Sequence, residues 1–324
     1  MAYKLDLKDK KLLYELETDC RQSFSEIGEK IKLSKNSVAY RIANLEKEGI
    51  LKYFRTVVDV GKLGYMTLNL YINLQNTTPK IEEEIIDFLK KKEIITWLVS
   101  IDGYYNIGAT LQAKSIKEIN ELWTEMTKKY INYFSDRLMT ITIKTSYYSK
   151  TYLINAKQSK NEIFLVTEPE EAELDNTDIE LLKIIAANAR IPIIELASRL
   201  NVSPKTVISR IKNLEEKKVI VGYKAEIDHV KLGYQYYKAD FTLNNISTKD
   251  LADLKDYIRF HPNIVYNHEV LGGDDIEIEI HVEGVEKLRE IIEDIKSKFG
   301  KIIMDYSTMH LYKEHKSLFL PVIL

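Results

Sequence analysis

The chain has 324 residues, a formal net charge of −2 and 45% hydrophobic residues. That composition fits globular domains rather than disorder, and the length suggests two or three of them. The charge balance argues against wholesale coating of nucleic acid but leaves room for a local basic patch. A single cysteine, Cys20, excludes an intrachain disulfide or a cysteine-based zinc cluster, and points to a reducing compartment. The first residues carry no apolar core of a signal peptide, and no run approaches the roughly 18 apolar residues of a membrane span, so the expectation is a cytoplasmic protein without membrane contact.

The chain repeats itself at an offset of 169 residues. From Leu5/Leu174 to Tyr65/Tyr234 the two copies align without a gap and share 19 identities over 61 positions, which identifies an internal duplication. Each copy opens with a helix capped by Asp6 or Asp175, whose inner stripe is Leu12, Leu13 and Leu16, or Leu181, Leu182 and Ile185. A short helix follows, with Phe24, Ile27 and Ile31 on one side and Ile193, Leu196 and Leu200 in the repeat. A tight turn then leads into the pattern S-x-x-x-V-x-x-R-I-x-N-L-E at 34–46 and 203–215. In this third helix Val38, Ile42 and Leu45 recur at i, i+4 and i+7 and face inward, as do Val207, Ile211 and Leu214; Asn36, Tyr40 and Ala43, or Lys205, Ser209 and Lys212, face out. Three helices with a polar outer face on the third follow the helix-turn-helix plan, and β-rich segments at 50–58 and 219–227 read as wings.

Alternation of Leu68, Leu70, Ile72 and Leu74 predicts a half-buried strand, matched by Tyr237, Ala239, Phe241 and Leu243. Then come an amphipathic helix (79–93; 249–260), two strands around a hairpin (94–101 and 107–113; 264–271 and 276–282), a second helix (116–134; 285–299) and a last strand (139–146; 303–311). The order βαββαβ is that of a ferredoxin-like sandwich. The fold class is therefore α+β: two winged helix-turn-helix domains and two ferredoxin-like domains in tandem. The boundaries read as 1–62 and 63–154 for the first copy, 155–173 for a tail and acidic linker, and 174–231 and 232–324 for the second copy. An apolar tail ends each copy, at 163–166 and 318–324, and its simplest role is packing on its own domain.

The S-x-x-x-V-x-x-R-I-x-N-L-E helix, the L-G-Y at 63–65 and 232–234, and Gly272-Gly273-Asp274-Asp275 between the middle strands together make the chain resemble the Lrp/AsnC (feast/famine) transcription regulators, over nearly its whole length and twice. The resemblance implies that each ferredoxin-like unit is a RAM-type regulatory domain whose sheets pair into dimers that assemble further. It also implies that a small effector, commonly an amino acid, binds near the Gly-x-x-Asp hairpin. The fusion of two copies departs from the family, and predicts an intrachain pseudo-dimer with further homo-oligomerisation.

Two clusters carry the DNA reading. Residues 30–41 hold Lys30, Lys32, Lys35 and Arg41, and residues 199–214 hold Arg199, Lys205, Arg210 and Lys212, with no acid in either. Basic residues supply the phosphate contacts that dominate affinity for double-stranded DNA. The expected contacts are Lys35, Asn36, Ser37, Tyr40 and Arg41 in copy one, and Lys205, Thr206, Ser209, Arg210 and Lys212 in copy two. For Arg41 and Arg210 a structural ion pair is an equal alternative, and a solvated helix face is the alternative for the whole cluster.

For the effector the residues are Gly272, Asp274 and Asp275, with Gly103 and Asn106 at the aligned hairpin. A glycine there also suits a plain tight turn, and Asn106 and Tyr104 make copy one the poorer site. Glu277, Glu279 and His281 share one strand face. That trio reads as packing against the partner sheet, with Lys238 balancing the two glutamates, rather than as a metal site, and no cofactor or metal is expected. No catalytic constellation appears, so the chain reads as a regulator and not an enzyme. Two alternatives stand beside it: a metabolite sensor without DNA, and an enzyme like the sirohaem decarboxylases, for which His268 and His281 are the only sheet candidates.

Overall fold

A computed structural model of the chain describes residues 5–156, 163–166, 169–318 and 320–321. In copy one, α1 (Leu7–Thr18), α2 (Phe24–Ile31) and α3 (Lys35–Lys47) are followed by β1 (Leu51–Val58). Then come β2 (Met66–Leu74), α4 (Pro79–Lys90), β3 (Ile95–Asp102), β4 (Ile107–Ala113), α5 (Ile116–Tyr130), β5 (Phe134–Tyr147) and β6 (Ile163–Val166). Copy two repeats the order with α6 (Asn176–Ala187), α7 (Ile193–Leu200), α8 (Pro204–Glu216) and β7 (Ile220–Ile227). It continues with β8 (Gln235–Leu243), α9 (Thr248–Phe260), β9 (Ile264–Leu271), β10 (Ile276–Val282), α10 (Val285–Phe299) and β11 (Ile303–Ser317).

The helix starts follow from local chemistry. Asp6 and Asp9 close a capping box on α1, and Asp175 and Asp178 close the same box on α6. Ser34 and Ser203 accept the backbone N–H of Ser37 and Thr206 and so start α3 and α8. The turn before each of these helices is fixed by a left-handed C-cap, Lys32 at φ 56° and Asn201 at φ 53°.

The wings depart from expectation. Neither folds back on its own domain. Instead β1 pairs antiparallel with β7, one strand from each copy, from Leu51↔Ile227 to Val58↔Ile220. Helix α1 lies against β7 and α6 against β1, so one hydrophobic cluster runs through both helix-turn-helix units and includes Leu16, Leu45, Phe54, Ile185, Leu214 and Tyr223. Hydrogen bonds cross the repeat: Cys20 N to Tyr223 O at 2.9 Å, Ala189 N to Phe54 O at 2.9 Å, and Thr56 Oγ1 to Ile185 O at 2.7 Å. The crossing buries an ion cluster, in which Glu17 of α1 takes Lys224 of β7 at 2.8 Å and Lys150 at 3.7 Å.

The remaining strands form one antiparallel sheet in the order β2-β4-β3-β11-β8-β10-β9-β5-β6. A β2–β5 pairing closes the first eight strands of that order into a ring, which removes sheet edges. Two long strands stitch it. The first half of β5 pairs with β2 and the second half with β9; the first half of β11 pairs with β8 and the second half with β3. That is why both strands are longer than alternation predicts: β5 starts at Phe134 rather than 139, and β11 runs to Ser317 rather than 311. The helices lie outside the ring, α4 and α5 over a core containing Leu70, Leu98 and Leu111, and α9 and α10 over one containing Phe241, Ile278 and Ile292. The two sheets of a single chain thus face each other, with Tyr71, Val99, Ile101, Met309 and Leu311 packed between them. Of the two apolar tails, the first forms β6 on the end of β5, while residues 319 and 322–324 of the second lie outside the described residues.

Candidate nucleic-acid interface and small-molecule sites

The caps and the apolar stripe turn one face of α3 and one of α8 outward. Lys35, Asn36 and Tyr40 are exposed on α3, Tyr40 by 69%; Lys205, Ser209 and Lys212 are exposed on α8. Lys35 and Lys205 have no ion-pair partner among the described residues, whereas Lys212 reaches Glu216 at 3.5 Å in solvent. Sequence reasoning missed Ile208, which is 56% exposed beside Ser209. Its signal was an apolar residue off the i, i+4, i+7 stripe, and such a side chain suits contact with a thymine methyl.

Four of the expected DNA contacts have other work. Arg41 donates to Asp6 at 2.9 Å and Asp9 at 2.6 Å; Arg210 donates to Asp175 at 2.8 Å and Asp178 at 2.7 Å. Of their two readings the structural ion pair is the one formed, tying each outer helix to the capping box of the first. For Asp6, burial works against ionisation, but the Asp9 amide and Arg41 outweigh it and hold the carboxyl below its ordinary value; for Asp175 the Asp178 amide leads, followed by Arg210. Ser37 and Thr206 are spent on the caps, their hydroxyls 2.9 and 2.8 Å from those of Ser34 and Ser203.

At the hairpins, Gly272 adopts φ +86°, a left-handed turn that favours glycine. Asp275 accepts from Leu243 N at 2.7 Å, and Asn106 accepts from Leu74 N at the same 2.7 Å. The two aligned residues therefore hold the same strand end, and the acid-to-amide change leaves that job intact. Thr242 donates to Asp274. Gly103 sits against Met309, 3.1 Å from where a Cβ would stand, and Tyr104 leans away to Asp136 at 2.8 Å.

Glu277, Glu279 and His281 face the other sheet, but the balance expected from Lys238 is only half correct. Lys238 is buried between Asp240 at 2.5 Å and Glu277 at 2.9 Å. Glu279 belongs to a separate network: His268 Nε2 lies 3.0 Å away and Tyr236 donates to it. His281 Nδ1 meets the Tyr152 hydroxyl at 2.9 Å, and its ring stacks on His229 at 4.5 Å. Burial lowers the pKa of both, His229 to about 4.

Between the wing ribbon and the inner faces lies a cavity of about 680 Å³. Lys52, Arg55, Glu226 and His229 contribute from the ribbon and its end, Asn69 and Gln112 from copy one, and Tyr266 and His281 from copy two. His268 also lines it but has both ring nitrogens engaged, Nδ1 with Thr145 at 3.0 Å and Nε2 with Glu279. A pair of outward helices on one shared scaffold, joined to paired ferredoxin-like sheets, defines a helix-turn-helix protein with regulatory-type domains.

Comparison with known proteins places that class. Residues 5–46 match an AsnC-type helix-turn-helix domain, and residues 174–221 match a winged helix-turn-helix DNA-binding model. A proline dehydrogenase transcriptional activator from Rhodobacter capsulatus is 30% identical over 120 residues, 37% of this chain and 78% of that protein. The HTH-type transcriptional regulator LrpB of Bacillus subtilis is 25% identical over 145 residues, 45% of this chain and 95% of that protein. The chain belongs to the Lrp/AsnC family of transcriptional regulators. Among solved structures, the sirohaem decarboxylase NirDL shares the fold along nearly the whole chain, with a TM-score of 0.65 at 14% identity, covering 97% of this chain and 94% of that one.

Proposed function

We propose that this chain is a sequence-specific transcriptional regulator that reads double-stranded DNA with α3 and α8 of one molecule. One observation carries it: the two helices are held outward by the same scaffold, yet their exposed residues differ pair by pair, Asn36 against Lys205, Tyr40 against Ser209 and Ala43 against Lys212. A homodimer presents two identical reading helices to a palindrome; here one chain presents two different ones. Asn suits adenine edges and Lys suits guanine N7 and O6. The site read is then bipartite and non-palindromic, with halves about a helical turn or a multiple of it apart. Selection from random DNA tests this, and recovery of a perfect palindrome would sink it.

The same proposal includes a small effector, such as an amino acid, at the Gly272–Asp275 hairpin, further assembly of the pseudo-dimer, and a place in the cytoplasm beside the DNA. It contains no chemical step. Calorimetry on Asp275→Ala and Asn106→Ala tests the hairpin; equal losses would remove the expected preference for copy two. Among the described residues no helix is long and apolar enough to cross a membrane.

A further inference from the structure

The cavity under the wing ribbon holds two buried polar atoms that lack hydrogen bonds. Arg55 Nε has no hydrogen-bond partner among the described residues, although Glu226 lies 3.3 Å away in an ion pair. Across the cavity, Gln112 Oε1 is likewise without one. Of the nine such atoms among the described residues, these two line one cavity, a donor and an acceptor that a polar ligand can pair. The walls say what kind. Tyr71, Trp97, Tyr147, Tyr236 and Tyr266 supply aromatic faces. The volume falls in the range of pockets that enclose small molecules, and the mouth of a closed barrel is a usual place for one. The guanidinium of Arg55 already meets Glu226 at 3.3 Å and Tyr147, which lies 5.7 Å away by its ring centroid and hydrogen-bonds to it; its planar fork carries five N–H donors, enough to take a carboxylate besides.

We propose that this cavity is a binding site for an aromatic carboxylate that also offers an N–H donor, its carboxylate held by Arg55 and its donor by Gln112. The site is separate from the hairpins. Its roof is the β1–β7 ribbon and its floor the inner sheet faces, so an occupant touches the DNA-reading unit and the sheets at once. It needs neither the DNA reading nor the hairpin reading to be true.

Calorimetry on the full chain without DNA tests it, using anthranilate, indole-3-carboxylate and L-tryptophan as probes, with aniline and cyclohexanecarboxylate as controls. The expected result is one site per chain for at least one probe, with both controls at least about tenfold weaker. Trp97 lines the cavity and Trp123 is the only other tryptophan, so a Trp123→Phe background isolates a fluorescence response from Trp97. Arg55→Lys, which keeps the charge but loses the fork, and Gln112→Met, which removes the unbonded acceptor, should each weaken binding about tenfold, the cost of roughly one hydrogen bond. Gln112→Met should unfold at the same temperature as the parent or higher, so its loss of affinity is not a loss of fold. Lys117→Ala, on the exposed face of α5, should bind as the parent does. Silence from all three probes, equal binding of the controls, a Lys117→Ala loss as large as that of Gln112→Met, or tight uptake of iron porphyrin with none of the carboxylates would each overturn the proposal.

Discussion

The two copies agree where they build the reading helices and disagree where they face each other. Asp9–Arg41 and Asp178–Arg210 are the same ion pair at 2.6 and 2.7 Å, on the same capping boxes. Across the ring, however, Lys238, Asp240, Glu277, Glu279 and His281 of copy two align with Asn69, Tyr71, Gly108, Thr110 and Gln112 of copy one. A symmetric dimer would set two charged faces against one another, and each buried charge would then need its own partner. Fusing the copies lets one face carry all the charge and the other accommodate it: Lys238 lies 4.9 Å from the Tyr71 ring centroid, and Gly108 leaves no side chain where Glu277 stands in the repeat. Duplication thus conserved the solvent-facing scaffold and freed the interface.

The largest test of this asymmetry is Glu17, whose counterpart in copy two is Ala186. Glu17→Ala leaves Lys224 and Lys150 buried without a counter-charge, and we expect a loss of about 3–5 kcal/mol in urea unfolding. Glu226→Ala, which removes the partly exposed partner of Arg55, should cost about 1 kcal/mol. Burial alone would raise the Glu17 pKa, but Lys224 and Lys150 outweigh it and lower it. Its contribution is therefore present above the ordinary carboxylate value of 4.5 and is lost as the pH falls below that. Similar costs for Glu17→Ala and Glu226→Ala would mean that the copies are not asymmetric at this joint.

Lys238→Met comes next, at about 3 kcal/mol near neutral pH, against about 1 kcal/mol for the aligned Asn69→Leu. The loss is softened because Asp240 can take up a proton: burial, with Glu277 nearby, pushes its pKa up to about 7 in spite of Lys238. A raised carboxyl adds stability at low pH that disappears as the pH rises through the folded value. Asp240→Asn should therefore flatten the stability profile between about pH 4 and 7, and an unchanged slope would show that Asp240 stays ionised throughout.

On the outer face, Lys205→Ala should relax base preference in one half-site only, by about 1–3 kcal/mol. A uniform loss across all sequences would make it a phosphate contact. Arg41→Ala and Arg210→Ala should each lower stability by about 1–2 kcal/mol and by matching amounts, because each arginine pairs with one exposed carboxylate, Asp6 or Asp175, and one buried one, Asp9 or Asp178. Thermal unfolding reads both, and a large difference between them would contradict the equivalence of the two scaffolds.

Several features of this molecule are local and were legible in the residues: the duplication, the caps at Asp6, Ser34, Asp175 and Ser203, the stripes Val38-Ile42-Leu45 and Val207-Ile211-Leu214, and the βαββαβ order. Caps and amphipathic stripes depend on neighbours within a turn or two, so a linear pattern carries them. Which strand pairs with which does not, because one alternating pattern satisfies any partner of matching polarity. Only the tertiary structure decided that β1 would pair with β7, that β5 and β11 would each span two partners and close the ring, and that Arg41 and Arg210 would turn to carboxylates 35 and 32 residues earlier. The cavity beneath the ribbon belongs to the same class. Arg55, Gln112 and His281 share no motif, and they meet because the ribbon from both copies roofs sheets from both copies.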